Sequence, residues 1–286
     1  MRDRIRFGAG GLGTARRVVL IGCLIGCVAG CLAGCAWPPG DADPTRSLPV
    51  AGSGFDYQLG GGYEPAADVE VVARDSTDEP APDLYNICYI NGFQTQPGEG
   101  AAWLAEDPDL VLHDAAGEPV ADPAWPDEYL LDTSTVRKRD GIERRLSSVI
   151  TSCADKGFDA VEIDNLDSWT RSHGVLTIED NIALAEAYAE YAHFLGLAIA
   201  QKNGAGYSQR LRDEVGFDFA VTEECMRFAE CSDYLDAYDG LVFDIEYGLA
   251  SAFAAACDDL GRPESMILRD VDLGPPADPD YVRATC

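Results

Sequence analysis

The segment Gly157-Phe158-Asp159-Ala160-Val161-Glu162-Ile163-Asp164-Asn165-Leu166-Asp167 runs from apolar residues into a cluster of carboxylates. Val161 and Ile163 suit a strand covered on both faces. Asp159, Glu162, Asp164 and Asp167 share this one stretch, with no basic residue among them. A buried strand that delivers several acids to one rim is costly unless they bind or catalyse. On a parallel barrel, catalytic groups sit at the C-terminal ends of the strands, which is where this cluster falls.

Outward from that segment, strand-like runs recur at 55–59, 85–90, 129–132, 197–202, 217–223, 241–246 and 265–269, making eight with 160–164. Helical patterns are clearest at 141–156, 178–195, 207–215 and 247–260, and Ala and Leu in 181–195 give an apolar face at i, i+3, i+4. Thr177 and Ser208 can cap the helices that follow them. Strand and helix in alternation predict a parallel α/β sheet. Eight such units within residues 54–286 predict a single-domain (β/α)8 TIM barrel. Its first β/α unit is expected to be reduced, because 61–82 is rich in Pro, Asp and Gly and its helix is short or absent.

Residues 1–34 read as an address. Arg2, Arg4, Arg6, Arg16 and Arg17 precede a small, apolar run that is shorter than the roughly 20 residues a spanning helix needs. The run ends Leu32-Ala33-Gly34-Cys35, which resembles a bacterial lipobox and predicts a lipid on Cys35; Val28-Ala29-Gly30-Cys31 is a second match. A flexible tether is expected over 35–53. These features place the protein on the extracellular face of the cell membrane, lipid-anchored, with plain secretion as the alternative.

The whole chain has 21 Lys and Arg against 50 Asp and Glu. Loss of residues 1–34 leaves 16 basic and 49 acidic residues, a formal charge of −33. That excludes a nucleic-acid binder and fits either a soluble secreted protein or a cationic partner. Six of the ten Cys lie beyond Cys35: Cys88, Cys153, Cys225, Cys231, Cys257 and Cys286. An even number in an exported chain predicts three disulfides. Cys225 and Cys231 are close enough to close a short loop, and Cys257 with Cys286 would pin the C-terminus. No CxxC spacing occurs, and neither a metal nor a cofactor is expected.

At the C-terminal ends of the eight runs stand Gln58, Tyr89 and Asn91, Asp132, Asp164 and Asn165, Lys202 and Asn203, Glu223, Glu246 and Tyr247, then Arg269 and Asp270. Together they describe a polar cup, with Tyr57, Tyr89, Trp169 and Tyr247 as aromatic walls. Carboxylates with aromatics suit a sugar, which offers hydroxyls to bond and C–H faces to stack.

Five motifs in order carry a resemblance to a known family. They are Cys88-Tyr89-Ile90-Asn91-Gly92, the 157–167 segment, Gln201-Lys202-Asn203, Thr222-Glu223-Glu224-Cys225 with Glu230-Cys231, and Phe243-Asp244-Ile245-Glu246-Tyr247. The chain resembles glycoside hydrolase family 114, a (β/α)8 family containing endo-α-1,4-polygalactosaminidases, over about residues 55–270. The resemblance implies Asp164 and Glu223 as the catalytic pair. Thr222 and Glu224 stand where the family usually has Asn and Gln, and Phe55 replaces a usual Trp, so substrate identity is less firmly implied than reaction class.

Glycosidases set two carboxyls about the scissile bond, one protonated and one ionised. Like charge from Glu224 and Glu246 would raise the pKa of Glu223, so Glu223 is expected as acid/base and Asp164 as nucleophile or stabiliser, with the reverse open. Strand alternation is read as turning Glu162 to the face opposite Asp164, which ranks it lower. Gln58, Tyr89, Asn91, Asp132, Asn165, Lys202, Asn203, Glu246 and Tyr247 are the expected substrate-binding residues. The expected activity is hydrolysis of an extracellular polysaccharide, an α-1,4-linked galactosamine polymer by the resemblance, by a monomer. Two alternatives stand beside it. One is a non-catalytic barrel that binds carbohydrate at the cell surface. The other is a Lys202 Schiff-base aldolase or lyase, disfavoured because surrounding carboxylates raise a lysine pKa.

Overall fold

A computed structural model describes residues 46–286. The expected signal peptide of 1–34, the candidate lipidation cysteines Cys31 and Cys35 and residues 35–45 of the expected tether lie outside the described residues. The remainder, 46–53, lies against the sheet: Arg46 pairs with Asp218 at 3.0 Å, and Tyr85 Oη donates to the Ser47 carbonyl at 2.9 Å.

Nine strands form one sheet in chain order: β1 (Phe55–Gln58), β2 (Val71–Asp75), β3 (Tyr85–Asn91), β4 (Ala160–Asp164), β5 (Ala198–Lys202), β6 (Phe219–Glu223), β7 (Val242–Tyr247), β8 (Ser265–Arg269) and β9 (Arg283–Thr285). The first eight are parallel, and β9 runs antiparallel to β8. No β1–β8 ladder closes the sheet among the described residues. Side chains join that seam instead. Arg269 reaches Asp56 at 3.2 Å and the Tyr57 carbonyl, Arg283 on β9 reaches the Phe55 carbonyl at 3.2 Å, and Ser265 Oγ donates to the Ser53 carbonyl at 2.8 Å.

One expected strand is replaced. Residues 129–132 do not join the sheet; they make isolated antiparallel bridges, with Leu130 opposite Gln94, Leu131 opposite Val111 and Tyr129 opposite Ala121. They belong to an insert between β3 and the long helix that precedes β4. The second strand is Val71–Asp75, inside the Pro-, Asp- and Gly-rich stretch 61–82 where a short helix or none is expected. Its Val-Val-Ala core is a short apolar run bounded by turn residues, and that signal is weak at this length. No helix separates β1 from β2 or β2 from β3.

Among the described residues the α-helices are α1 (Gly100–Glu106), α2 (Val136–Lys156), α3 (Ile178–Phe194), α4 (Ser208–Arg210), α5 (Cys225–Phe228), α6 (Cys231–Ala237) and α7 (Ala250–Cys257). Thr177 caps α3 in a reciprocal box with Asp180. Ser208 does not cap; its hydroxyl accepts from Gln201 Nε2 at 3.1 Å. Gly157 ends α2 with φ +93°, a left-handed turn that lets the chain enter β4 directly. None of the described helices is long and apolar enough to cross a membrane.

Each strand sorts its side chains by parity. Tyr57, Ile87, Ala160, Ala200, Val221 and Ile245 face inward into one buried cluster. Cys88, Val161, Ile163 and Ile199 face outward and pack with Ile142, Leu146 and Ile150 of α2 and Leu184 and Tyr188 of α3. The two faces are both apolar, as covered parallel strands require. Among the described residues three disulfides are formed: Cys88–Cys153 ties β3 to α2, Cys225–Cys231 closes the loop after β6, and Cys257–Cys286 ties α7 to the C-terminus.

Candidate active site

Lys202 ends β5 with its side chain turned inward and only 2% exposed. Its Nζ stands 3.0 Å from Glu223 Oε2 on β6, 3.4 Å from Asp164 Oδ2 on β4 and 3.7 Å from Glu162 Oε1 below it. Asp164 and Glu223 keep 16% and 29% of their side chains open to the mouth. The expected pair therefore converges on a buried cation. Tyr89 on β3 donates to Asp164 Oδ2 at 2.8 Å, and the Asn165 backbone N–H donates to Asp164 Oδ1 at 2.7 Å. Tyr247 on β7 donates to Glu223 Oε1 at 2.6 Å. Asn203 gives Nδ2 to Glu223 Oε2 at 3.0 Å and accepts the Glu223 backbone N–H at 2.8 Å.

Burial works against the charge of Lys202, yet Asp164, Glu223 and Glu162 hold its pKa well above the ordinary lysine range. A lysine so held has no free lone pair, so the Schiff-base alternative loses its nucleophile. Burial alone would push Glu223 up, but Lys202, Tyr247 and Asn203 outweigh it and hold the carboxyl below its ordinary range. This reverses the expectation that like charges raise it: a cation at 3.0 Å acts more strongly than more distant carboxylates.

Asn91 and Asn165 stand beside the pair. Asn165 Nδ2 donates to Asn91 Oδ1 at 3.0 Å, and Asn91 Nδ2 donates to Glu128 Oε2 at 2.7 Å. Arg171 holds Asn165 Oδ1 at 3.0 Å and pairs with Asp122 of the insert at 2.7 Å. Asn165 itself has φ +66°, in the left-handed region that Asn tolerates better than most residues.

Three expected binding residues stand elsewhere. Gln58 is fully buried, with Oε1 taken by Arg74 Nε and the Tyr63 N–H and Nε2 by Asp56. Asp132 lies in the insert rather than at a strand end, bonded to Lys138 and Ser134. Glu246 shares parity with the buried Asp244 on the outer face of β7, opposite to Tyr247, and accepts the Met226 N–H at 2.8 Å. Of the aromatic walls, Tyr89 and Tyr247 touch the pair, Tyr57 lies buried beneath it, and Trp169 packs edge-on against Tyr207.

The sequence profile of glycoside-hydrolase family GH114 matches residues 37–286. The chain belongs to this family. Family 114 membership makes the protein a glycoside hydrolase. Among solved structures it is similar to Ega3 of Aspergillus fumigatus, in complex with galactosamine, at 22% identity and a TM-score of 0.70, covering 85% of this chain and 98% of that one. It is also similar to the glycoside hydrolase domain of PelA from Pseudomonas aeruginosa, at 16% identity and a TM-score of 0.54, covering 81% of this chain and 98% of that one. At these identities the likeness shows a shared fold. No curated protein matches the sequence.

Two further carboxyls stand at this candidate site: Glu162, which the sequence reading ranked below Asp164, and Glu128, which it did not single out. Glu162 faces inward with Asp164, because residues two apart on a strand share a face. The expectation that Glu162 points to the face opposite Asp164 is therefore corrected. Glu128 comes from the insert, where no periodicity marks it; burial pushes it up to about 7, partly offset by Asn91.

Proposed function

We propose that the protein hydrolyses an α-1,4-linked galactosamine-containing polysaccharide outside the cell, with Asp164 and Glu223 as the reacting carboxyls. The observation that carries this reading is their convergence on Lys202 at the strand ends, open to the mouth while the lysine is buried. Because Asp164 Oδ2 lies 3.4 Å and Glu223 Oε2 lies 3.0 Å from one Nζ, these oxygens can be no more than about 6.4 Å apart. Their shared approach to one ammonium is the basis on which we read the mechanism as retaining, in which the two carboxyl groups stand about 5–5.5 Å apart. Asp164 would then attack the anomeric carbon as Glu223 protonates the leaving oxygen, and Glu223 would next deprotonate the water that releases the sugar. Lys202, Tyr247 and Asn203 favour the ionised form of Glu223 at rest, so it takes up a proton from solvent before it acts as the acid.

Tyr89, Asn91, Asn165, Asn203 and Tyr247 are placed to bond sugar hydroxyls around the pair. The sheet is read as a TIM barrel closed through the Arg269 and Arg283 seam. A polymer of free-amine galactosamine suits the acidic domain, and it is the activity found in the family. Three disulfides fit an oxidising compartment. A lipid on Cys35 would tether the monomeric protein at the membrane, and Cys35→Ala should release it from the membrane fraction; retention in that variant but not in Cys31→Ala would move the anchor to Cys31.

The deciding experiment incubates the protein with a polysaccharide panel that includes de-N-acetylated α-1,4-galactosamine polymer, followed by product analysis. Oligosaccharides with new reducing ends are expected from the galactosamine polymer. Cleavage of a different polymer alone would overturn the substrate, and cleavage of none would overturn the reading.

A further inference from the structure

Glu162 lies one pleat below Asp164 on β4 and is fully buried. Its Oε1 accepts the Tyr57 hydroxyl at 2.6 Å and lies 3.7 Å from Lys202 Nζ, while Oε2 has no hydrogen-bond partner. Three carboxyls thus share one ammonium, and only Glu162 is beyond a substrate's reach. A buried carboxylate with an unpartnered oxygen is far more costly than a neutral carboxyl. Burial accordingly pushes Glu162 up to about 8, although Lys202 and Tyr57 act in the other direction.

We propose that Glu162 is a positioning residue that governs where Lys202 lends its charge. Protonated, it leaves the ammonium to Asp164 and Glu223; ionised, it draws the ammonium down from the mouth. This rests on Asp164 and Glu223 being the reacting pair. The groups facing Glu162 are Tyr57 from β1, Tyr89 from β3, Asp164 from its own strand, Lys202 from β5 and Glu223 from β6. Tyr57 and Tyr89 are pushed well above the ordinary tyrosine range, chiefly by burial, and Tyr247, which faces Lys202, is pushed up likewise. Lys202 keeps its charge, and Glu223 is already ionised. Full burial and the unpartnered Oε2 favour the neutral form of Glu162 at neutral pH, so its charge changes on going to mildly alkaline pH. Glu128, nearer 7, is expected to shape the neutral part of the profile, and Glu128→Gln separates the two.

The test follows kcat/KM against pH together with the ¹⁵Nζ signal of Lys202. In the wild type, activity is expected to fall about tenfold per pH unit above roughly pH 8, and the Lys202 signal to shift with the same midpoint. Glu162→Gln should keep a measurable plateau at pH 6 and lose both the descent and the shift. Tyr57→Phe removes a donor that favours the anion, so it should move both midpoints upward. An unaltered descent in Glu162→Gln, or a Lys202 signal flat through this window in the wild type, overturns the proposal. If Glu162→Gln does not fold, the wild-type and Tyr57→Phe titrations decide. The lysine signal needs no hydrolysis, so a failed substrate assignment and a failed role for Glu162 give different results.

Discussion

Lys202 Nζ and Glu223 Oε2 form a 3.0 Å ion pair between the neighbouring strands β5 and β6. Lys202 also holds Asp164, so one residue fixes the spacing of both candidate catalytic carboxyls. Removing either carboxyl's titrating group while keeping its shape isolates the chemistry from the fold. Asp164→Asn and Glu223→Gln are each expected to lower kcat by at least about 10²-fold, the usual scale for losing an acid or base. KM should change much less. Steady-state kinetics on the cleaved polymer measure both, and near-normal turnover in either variant would remove that residue from the pair.

The same ion pairs bear on the aldolase alternative. An ammonium that Asp164 and Glu223 hold charged does not attack a carbonyl. Borohydride added during incubation with sugar substrates is expected to leave Lys202 unmodified by peptide mass analysis. A reduced adduct on Lys202 would restore the Schiff-base reading.

The disulfide pattern gives a prediction about covalent structure. Alkylation without reduction, followed by digestion, should yield the peptide pairs Cys88–Cys153, Cys225–Cys231 and Cys257–Cys286. Replacing both Cys88 and Cys153 with Ser releases β3 from α2 across a separation of 65 residues and should cost roughly 2–4 kcal/mol of stability in denaturant titration. Free thiol at Cys88 or Cys153 in the native protein would contradict the first expectation, and an unchanged midpoint the second.

The acidic segment at 157–167 was legible because two signals coincide there: a buried strand and carboxylates at its end. Seven of the eight strands expected from apolar runs are in the sheet. The eighth, 129–132, shows that a short apolar run does not say which partners it will pair with. Leu130 and Leu131 are buried, but in the insert rather than in the sheet. Val71–Asp75 was hidden because only Val71, Val72 and Ala73 of it are apolar, and the stretch around them is rich in Gly, Pro and Asp. Within the site, errors came from parity. Glu162 faces in and Glu246 faces out, each settled by counting in twos from Asp164 and Tyr247. Glu128 was not legible at all, since it reaches the site through a long insert whose path depends on tertiary packing.

Buried carboxyls also set how stability should depend on pH. Burial raises Glu162 to about 8 and Glu128 to about 7, and raises Asp159, Asp244 and Glu246 as well. In the unfolded chain these groups titrate near 4, roughly. Between that value and their folded values, the folded protein binds more protons than the unfolded one. Stability must therefore fall as pH rises through this window. Glu223, Asp122 and Asp218, held below their ordinary range, act the other way, but only as pH drops below the ordinary carboxylate values. Thermal unfolding is thus expected to show a Tm that declines from about pH 5 to about pH 8 and then levels. Glu162→Gln replaces a group that must stay protonated with one that is always neutral, so it should flatten the upper part of this decline. A Tm that climbs across the window, or a Glu162→Gln slope identical to the wild type's, would mean that Glu162 ionises at its ordinary pH inside the folded protein.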